Sequence, residues 1–105
     1  QPLAPWWREE PAPQEKLLFD ELDRISKYGS FEKLYGAIAT PEAARLYAAA
    51  MRAACDASQV GFLDLNPLMT AECKPDDWLY VDRAHYTDEG HDLIARLIAD
   101  GLSLT

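Results

Sequence analysis

Residues 58 to 68 read SQVGFLDLNPL, and the way they fold decides the architecture. Val60, Phe62, Leu63 and Leu65 form a short, almost continuously apolar run that Asn66-Pro67 ends. That pattern fits a strand buried on both faces, as in a parallel sheet covered by helices. The segment just before it, from Thr40 to Ala57, carries the marks of a helix. Thr40 can cap it, Pro41 takes the first helical position, and Glu42 suits the positive end of the macrodipole. Ala43, Tyr47, Ala50, Met51 and Ala54 make an apolar stripe, and so many alanines suggest close approach to a flat neighbour such as a sheet. A helix followed by a buried strand is half of an α/β unit, so the expected fold class is α/β with a mostly parallel sheet.

Working outward, the chain from Pro13 to Tyr28 is expected to be helical, with Leu18, Leu22 and Ile25 on one face and Gly29 as a stop. Phe31, Leu34, Tyr35 and Ile38 predict a short helix or helical turn after it. The start, QPLAPWWREEPAPQEK, holds four of the seven prolines and should be irregular or extended, with Trp6 and Trp7 pinned to a core or partner surface. MTAECKPDD is read as a loop leading to WLYV, an apolar approach too short to make a definite strand. The last element, TDEGHDLIARLIADGL, is a helix capped by Thr87 and ended by Gly101. Its buried face should be Leu93, Ile94, Leu97 and Ile98.

The 105 residues suit one small domain or part of a larger one. Eighteen acidic against ten basic residues, a formal charge of -8, argue against nucleic acid and against adhesion to an anionic membrane surface. No apolar run approaches the ~20 residues that a membrane-spanning helix needs. Cys55 and Cys73 leave room for one disulfide or two free thiols. A disulfide would favour a periplasmic or secreted location, and otherwise the location is open. Their separation of 17 intervening residues is too long for a zinc finger.

Chemistry concentrates in DWLYVDRAHYTDEGHDLIARL, residues 77 to 97, which hold both histidines. Asp82 stands three residues before His85, ahead of the last helix. A carboxylate so placed can accept from one ring nitrogen and leave the other facing a nucleophile, which is what a histidine base requires. D-x-x-H alone is a weak signal, whose ordinary explanation is a satisfied surface pair. Metal binding through Asp82, His85 and His91 is a third possibility, with no fourth ligand evident.

In context, Val81-Asp82-Arg83-Ala84-His85-Tyr86-Thr87-Asp88-Glu89-Gly90-His91 resembles the last conserved block of SGNH (GDSL-type) hydrolases, and FLDLNPLM is similar to the strand and loop that lead into it. The resemblance implies the C-terminal portion of a three-layer α/β/α, flavodoxin-like sandwich. Residues 1–39 would be a variable proline-rich and helical segment, and residues 40–105 the helix, buried strand, Asp-x-x-His loop and terminal helix. It further implies that His85 is the general base of a Ser-His-Asp triad and Asp82 its orienter. The reaction would be hydrolysis of an ester or acylated-carbohydrate substrate through an acyl-enzyme, with no metal or cofactor. Thr87 would serve as a cap, Gly90 as a close-packing position, and His91 as a structural residue.

The family's other blocks have no counterpart here. Ser26, Ser30, Ser58 and Ser103 are the only serines, and none stands in a Gly-Asp-Ser-like motif after a first buried strand. Asn66, the sole asparagine, belongs to the late loop rather than to an oxyanion block. The chain alone is therefore expected to be inactive, since a base without a nucleophile cannot perform covalent catalysis. Its partner would be the N-terminal remainder of the same domain, in the same or another chain, and the opening Gln-Pro is similar to the end of a central strand in longer members. The alternative is a non-catalytic SGNH-like structural or binding subunit. A domain lacking its first strands is expected to aggregate or pack loosely when expressed alone.

Overall fold

The structure, a computed structural model, describes residues 1–102. Six helices follow one another: α1 (Ala4–Trp7), α2 (Pro13–Ile25), α3 (Phe31–Tyr35), α4 (Pro41–Ala57), α5 (Leu65–Glu72) and α6 (Asp88–Gly101). Among the described residues there is no sheet. The one strand-like pairing is an isolated antiparallel bridge between Tyr80 and Tyr86. The expected α/β class, with the parallel sheet and the three-layer sandwich that the SGNH resemblance implied, is therefore corrected to a helical fold.

The correction turns on residues 58 to 68. α4 ends in a Schellman arrangement, in which Gln59 adopts φ 57° while its amide donates to Asp56 O and that of Val60 donates to Cys55 O. The chain reverses there, and Gly61, Phe62 and Leu63 run without regular structure. Phe62 instead lies under Arg52, 4.9 Å from the guanidinium carbon to the ring centroid. Asp64 then caps α5, its Oδ1 accepting from the Asn66 amide at 3.1 Å. Pro67 falls in the first turn of that helix, where its missing N–H costs nothing. A strand without a neighbour has no ladder to complete, whereas a capped helix satisfies its own backbone. An apolar run this short suits either state, and capping chemistry selects the helix. MTAECKPDD is corrected with it, since α5 runs to Glu72. The proline-rich start is likewise not wholly irregular, because Pro5 lies in the first turn of the short helix α1.

The N-caps at Thr40 and Thr87 act as the sequence predicts, whereas α2 stops at Ile25 with Ser26 as its C-cap, short of the expected stop at Gly29. Thr40 Oγ1 accepts from the Ala43 amide, and Thr87 Oγ1 from the Gly90 amide. Leu93 and Leu97 of α6 are buried, while Ile98 is not. On α2 the buried positions are Glu15 and Phe19, and the expected stripe residues Leu22 and Ile25 face solvent. The stripe on α4 meets no sheet. Only Ala44 is buried there, and Tyr47 and Met51 stay more than half exposed. Trp6 and Trp7 are pinned as expected. Trp6 stacks on Tyr47 and donates to Ile38 O, and Trp7 donates to Tyr80 Oη.

The core gathers Ala4, Phe19, Met69, Leu79, Tyr80, Tyr86, Leu93 and Leu97, so α1, α2, α5 and α6 close around the segment 79–86. Within it sits one carboxylate, that of Glu15, fully buried. Glu15 Oε1 accepts from Arg8 Nη1 at 2.6 Å and from the Ala12 amide at 3.0 Å. Oε2 accepts from the amides of Leu79 and Tyr80 at 2.8 and 3.0 Å. The guanidinium of Arg8 also donates to the carbonyls of Lys74 and Asp77.

Two consequences are measurable. Glu15→Ala strands Arg8 and three buried amides, those of Ala12, Leu79 and Tyr80, and removing one partner of a buried pair costs about 3–5 kcal/mol; urea unfolding of the variant should show that loss. The radius of gyration, 14.9 Å, exceeds the about 13 Å of a compact chain of this size. Leu46, Tyr47, Met51 and Val60 together account for much exposed apolar surface. Residues 1–105 alone should therefore bind anilinonaphthalene sulfonate and self-associate in sedimentation velocity. Tyr47→Glu with Met51→Lys should reduce both effects.

Candidate functional site

The Asp–His loop is built by a short reversal of the chain. The Val81 amide donates to His85 O and the Thr87 amide to Leu79 O, each at 2.9 Å, on either side of the Tyr80–Tyr86 bridge. Thr87 Oγ1 donates to Trp78 O, which ties the start of α6 to the same segment. Gly90 is needed here: a Cβ at this position would be driven into the Leu79 carbonyl oxygen and against the Tyr86 ring. Its expected close-packing role thus has a physical cause.

Inside the reversal, Asp82 Oδ1 accepts from the amides of Ala84 and His85, both at 2.8 Å. This turn folds the carboxylate back over its own loop. His85 Nδ1 then lies 2.9 Å from each carboxylate oxygen of Asp82. An ionised carboxylate only accepts, so in the neutral ring Nδ1 carries the proton and Nε2 bears the lone pair. Burial pushes the Asp82 carboxyl upward, but the two amides and the His85 ring outweigh it and hold the group below the usual aspartate range. The imidazole is 73% exposed and its partner carboxylate 40% exposed. The two residues expected to form the pair are brought together, with Nδ1 facing the carboxylate.

The nucleophile is a different matter. Ser26 follows the last turn of α2, Ser30 caps α3, Ser58 follows α4, and Ser103 lies outside the described residues. Among the described residues no hydroxyl is hydrogen-bonded to His85 Nε2. His91 packs edge-on against Tyr86, with centroids 5.5 Å apart, as a structural residue would. Asp82, His85 and His91 do not form a cation site, since among the described residues no three His, Cys, Asp or Glu side chains converge. Cys55 and Cys73 are free thiols. Cys73 Sγ accepts from Arg8 Nη2 at 2.6 Å, and burial pushes its pKa up. No helix among the described residues is long and apolar enough to cross a membrane.

Several groups that support the loop escaped sequence reading. The Ala4 amide donates to Arg83 O, and Gln1 Nε2 to Ala84 O. The phenols of Tyr80 and Tyr86 both donate to Pro2 O, at 3.1 and 2.6 Å. Burial raises the Tyr80 phenol far above its ordinary pKa, so it stays a neutral donor. These contacts join positions about eighty residues apart, and no local spacing announces them. Gln1 and Pro2 also border a cleft of about 320 Å³ between α4 and the 62–66 segment, walled by Trp6, Tyr47, Met51 and Phe62. Asn66 Oδ1 is buried there without a partner.

Asp23, paired with Arg83, is likewise held below the usual aspartate range: burial raises it, but Arg83 and the Phe31 amide outweigh that. A depressed folded-state pKa contributes stability that is present above the unfolded value and lost as pH falls through the folded one. Stability should therefore decline below about pH 4, the ordinary aspartate value. Asp82→Asn and Asp23→Asn should each flatten the decline in urea midpoints measured from pH 7 to pH 2.5.

No family model matches the chain, and no curated protein is similar to it.

Proposed function

We propose that this chain supplies the Asp–His half of a serine esterase or acyl hydrolase, with the serine and the oxyanion donors provided outside residues 1–105. The observation that carries the reading is His85 Nδ1 held at 2.9 Å from both oxygens of Asp82, with Nε2 left open to solvent. In that role Nε2 takes the proton of an attacking serine hydroxyl, and Asp82 keeps the ring in the right tautomer and stabilises the imidazolium that forms. The proton then passes to the leaving alcohol, and the acyl group remains on serine until water, activated by the same imidazole, releases it. The substrate class is a carboxylic ester, including an O-acylated carbohydrate. The similarity of residues 81–91 to the last block of SGNH hydrolases adds to this reading.

A second reading is a non-catalytic binding subunit. The exposure of Tyr47 and Met51 on α4 favours it, because they form a surface suited to a protein neighbour. One assay separates the two. The full-length polypeptide or complex that contains this chain should hydrolyse p-nitrophenyl acetate, while residues 1–105 alone stay at the buffer rate. His85→Ala should lower kcat about a thousandfold or more, and Asp82→Asn roughly 10²- to 10⁴-fold through loss of the tautomer. Undiminished hydrolysis in His85→Ala would leave the binding-subunit reading.

A further inference from the structure

An exposed Asp–His pair cannot hold its own position. Exposed ion pairs contribute at most about 1 kcal/mol, and the His85 ring is largely in water. The turn bonds from Asp82 to the Ala84 and His85 amides fix the shape of the loop but are internal to it. Its placement on the body of the protein depends on outside anchors, of which the Ala4 amide to Arg83 O and Gln1 Nε2 to Ala84 O hold only the main chain.

We propose that Arg83, between the two pair residues, is the positioning residue for His85, and that it acts by latching the loop to α2. This rests on the reading of the pair as a base. The guanidinium donates from Nη1 to Asp23 Oδ1 at 3.1 Å and from Nη2 to Asp23 Oδ2 at 2.9 Å, a two-pronged bond to a carboxylate on α2. It also lies over two rings, 4.8 Å from the centroid of Phe19 and 4.8 Å from that of Phe31. Asp23 Oδ1 accepts in addition from the Phe31 amide at 3.0 Å, so the latch carries the start of α3 as well. The pair is mostly shielded, at 19% and 28% side-chain exposure. Meanwhile the main-chain carbonyl of Arg83 accepts from the Ala4 amide, so both ends of the residue are held. Flanked by Asp82 and Ala84, Arg83 cannot move without moving the amides that shape the carboxylate. A planar fork stacked on two rings is a geometry that lysine does not reproduce.

The test is the protonation pattern of the ring. In long-range ¹⁵N–¹H imidazole spectra at a pH where His85 is neutral, the wild type should show the Nδ1–H tautomer. Arg83→Ala should give a mixture with a substantial Nε2–H fraction, and Arg83→Lys should not restore the wild-type pattern. Should Arg83→Ala fail to fold, Asp23→Asn decides in the same way, because it keeps the acceptor's shape and removes its charge. In the active protein the same variants should lower kcat about ten- to hundredfold with KM within twofold, the scale of a misplacement of about 1 Å. A wild-type tautomer in folded Arg83→Ala, or in Asp23→Asn where Arg83→Ala is unfolded, overturns the proposal. Loss of tautomer preference alongside full activity in His85→Ala would instead sustain the latch and reject the base.

Discussion

Everything in this molecule hangs on one buried carboxylate. Glu15 receives the amides of Leu79 and Tyr80, the amide of Ala12 and the guanidinium of Arg8. In a sheet, two successive amides of an apolar extended segment would find their acceptors on neighbouring strands. Here a side chain from a helix fills part of that role. A buried amide without a partner costs about 1–3 kcal/mol, and an unpaired buried carboxylate costs far more. Arg8 neutralises the charge and reaches the carbonyls of Lys74 and Asp77, so the segment entering the core is held from both sides. The arrangement lets residues 79–80 lie at the centre of a helical body.

That constraint also sets the site. Leu79 and Tyr80 lead directly into the loop, and the Tyr80–Tyr86 bridge closes it. Their rings lie 4.7 Å apart, and both phenols meet Pro2 O. The pair is thus displayed from a stem whose inner end is fixed by Glu15 and whose outer face is fixed by the first residues of the chain. The stem is buried and the imidazole exposed, which is the division of labour that loops on rigid scaffolds commonly show.

Much of this was legible in the sequence, and the reasons divide cleanly. The caps at Thr40 and Thr87, Pro41 at a first helical position, and the Asp82–His85 pair depend on spacings of four residues or fewer, and local chemistry fixes them. Residues 58 to 68 misled because their apolar run suits a strand or a helix start. What decided between them was Asp64 as a cap and Gln59 in a left-handed turn, and glutamine seldom marks one. Glu15 was invisible for a different reason. A glutamate beside Lys16, Asp20, Glu21 and Asp23 in a helix looks like solvent-facing charge, and only its position opposite residues 79–80, more than sixty positions away, makes it the hub. Arg83 was equally silent, since its partner lies sixty residues upstream.

Orientation and catalytic strength are separate properties, and the loop supplies only the first. At an exposed site the interaction between His85 and Asp82 is screened by water: two unit charges at 4 Å gain about 1 kcal/mol in bulk water, against about 4 kcal/mol where the effective dielectric falls to about 20. Stabilising an imidazolium and a developing oxyanion needs the drier setting. In the esterase reading, the element that carries the serine must therefore do more than approach Nε2. It must also cover a ring that now stands 73% exposed. The Nδ1 side is already closed by Asp82 and the loop amides, so the cover has to come over the Nε2 edge, the same edge the serine uses. Nucleophile delivery and water exclusion then become one event in that reading.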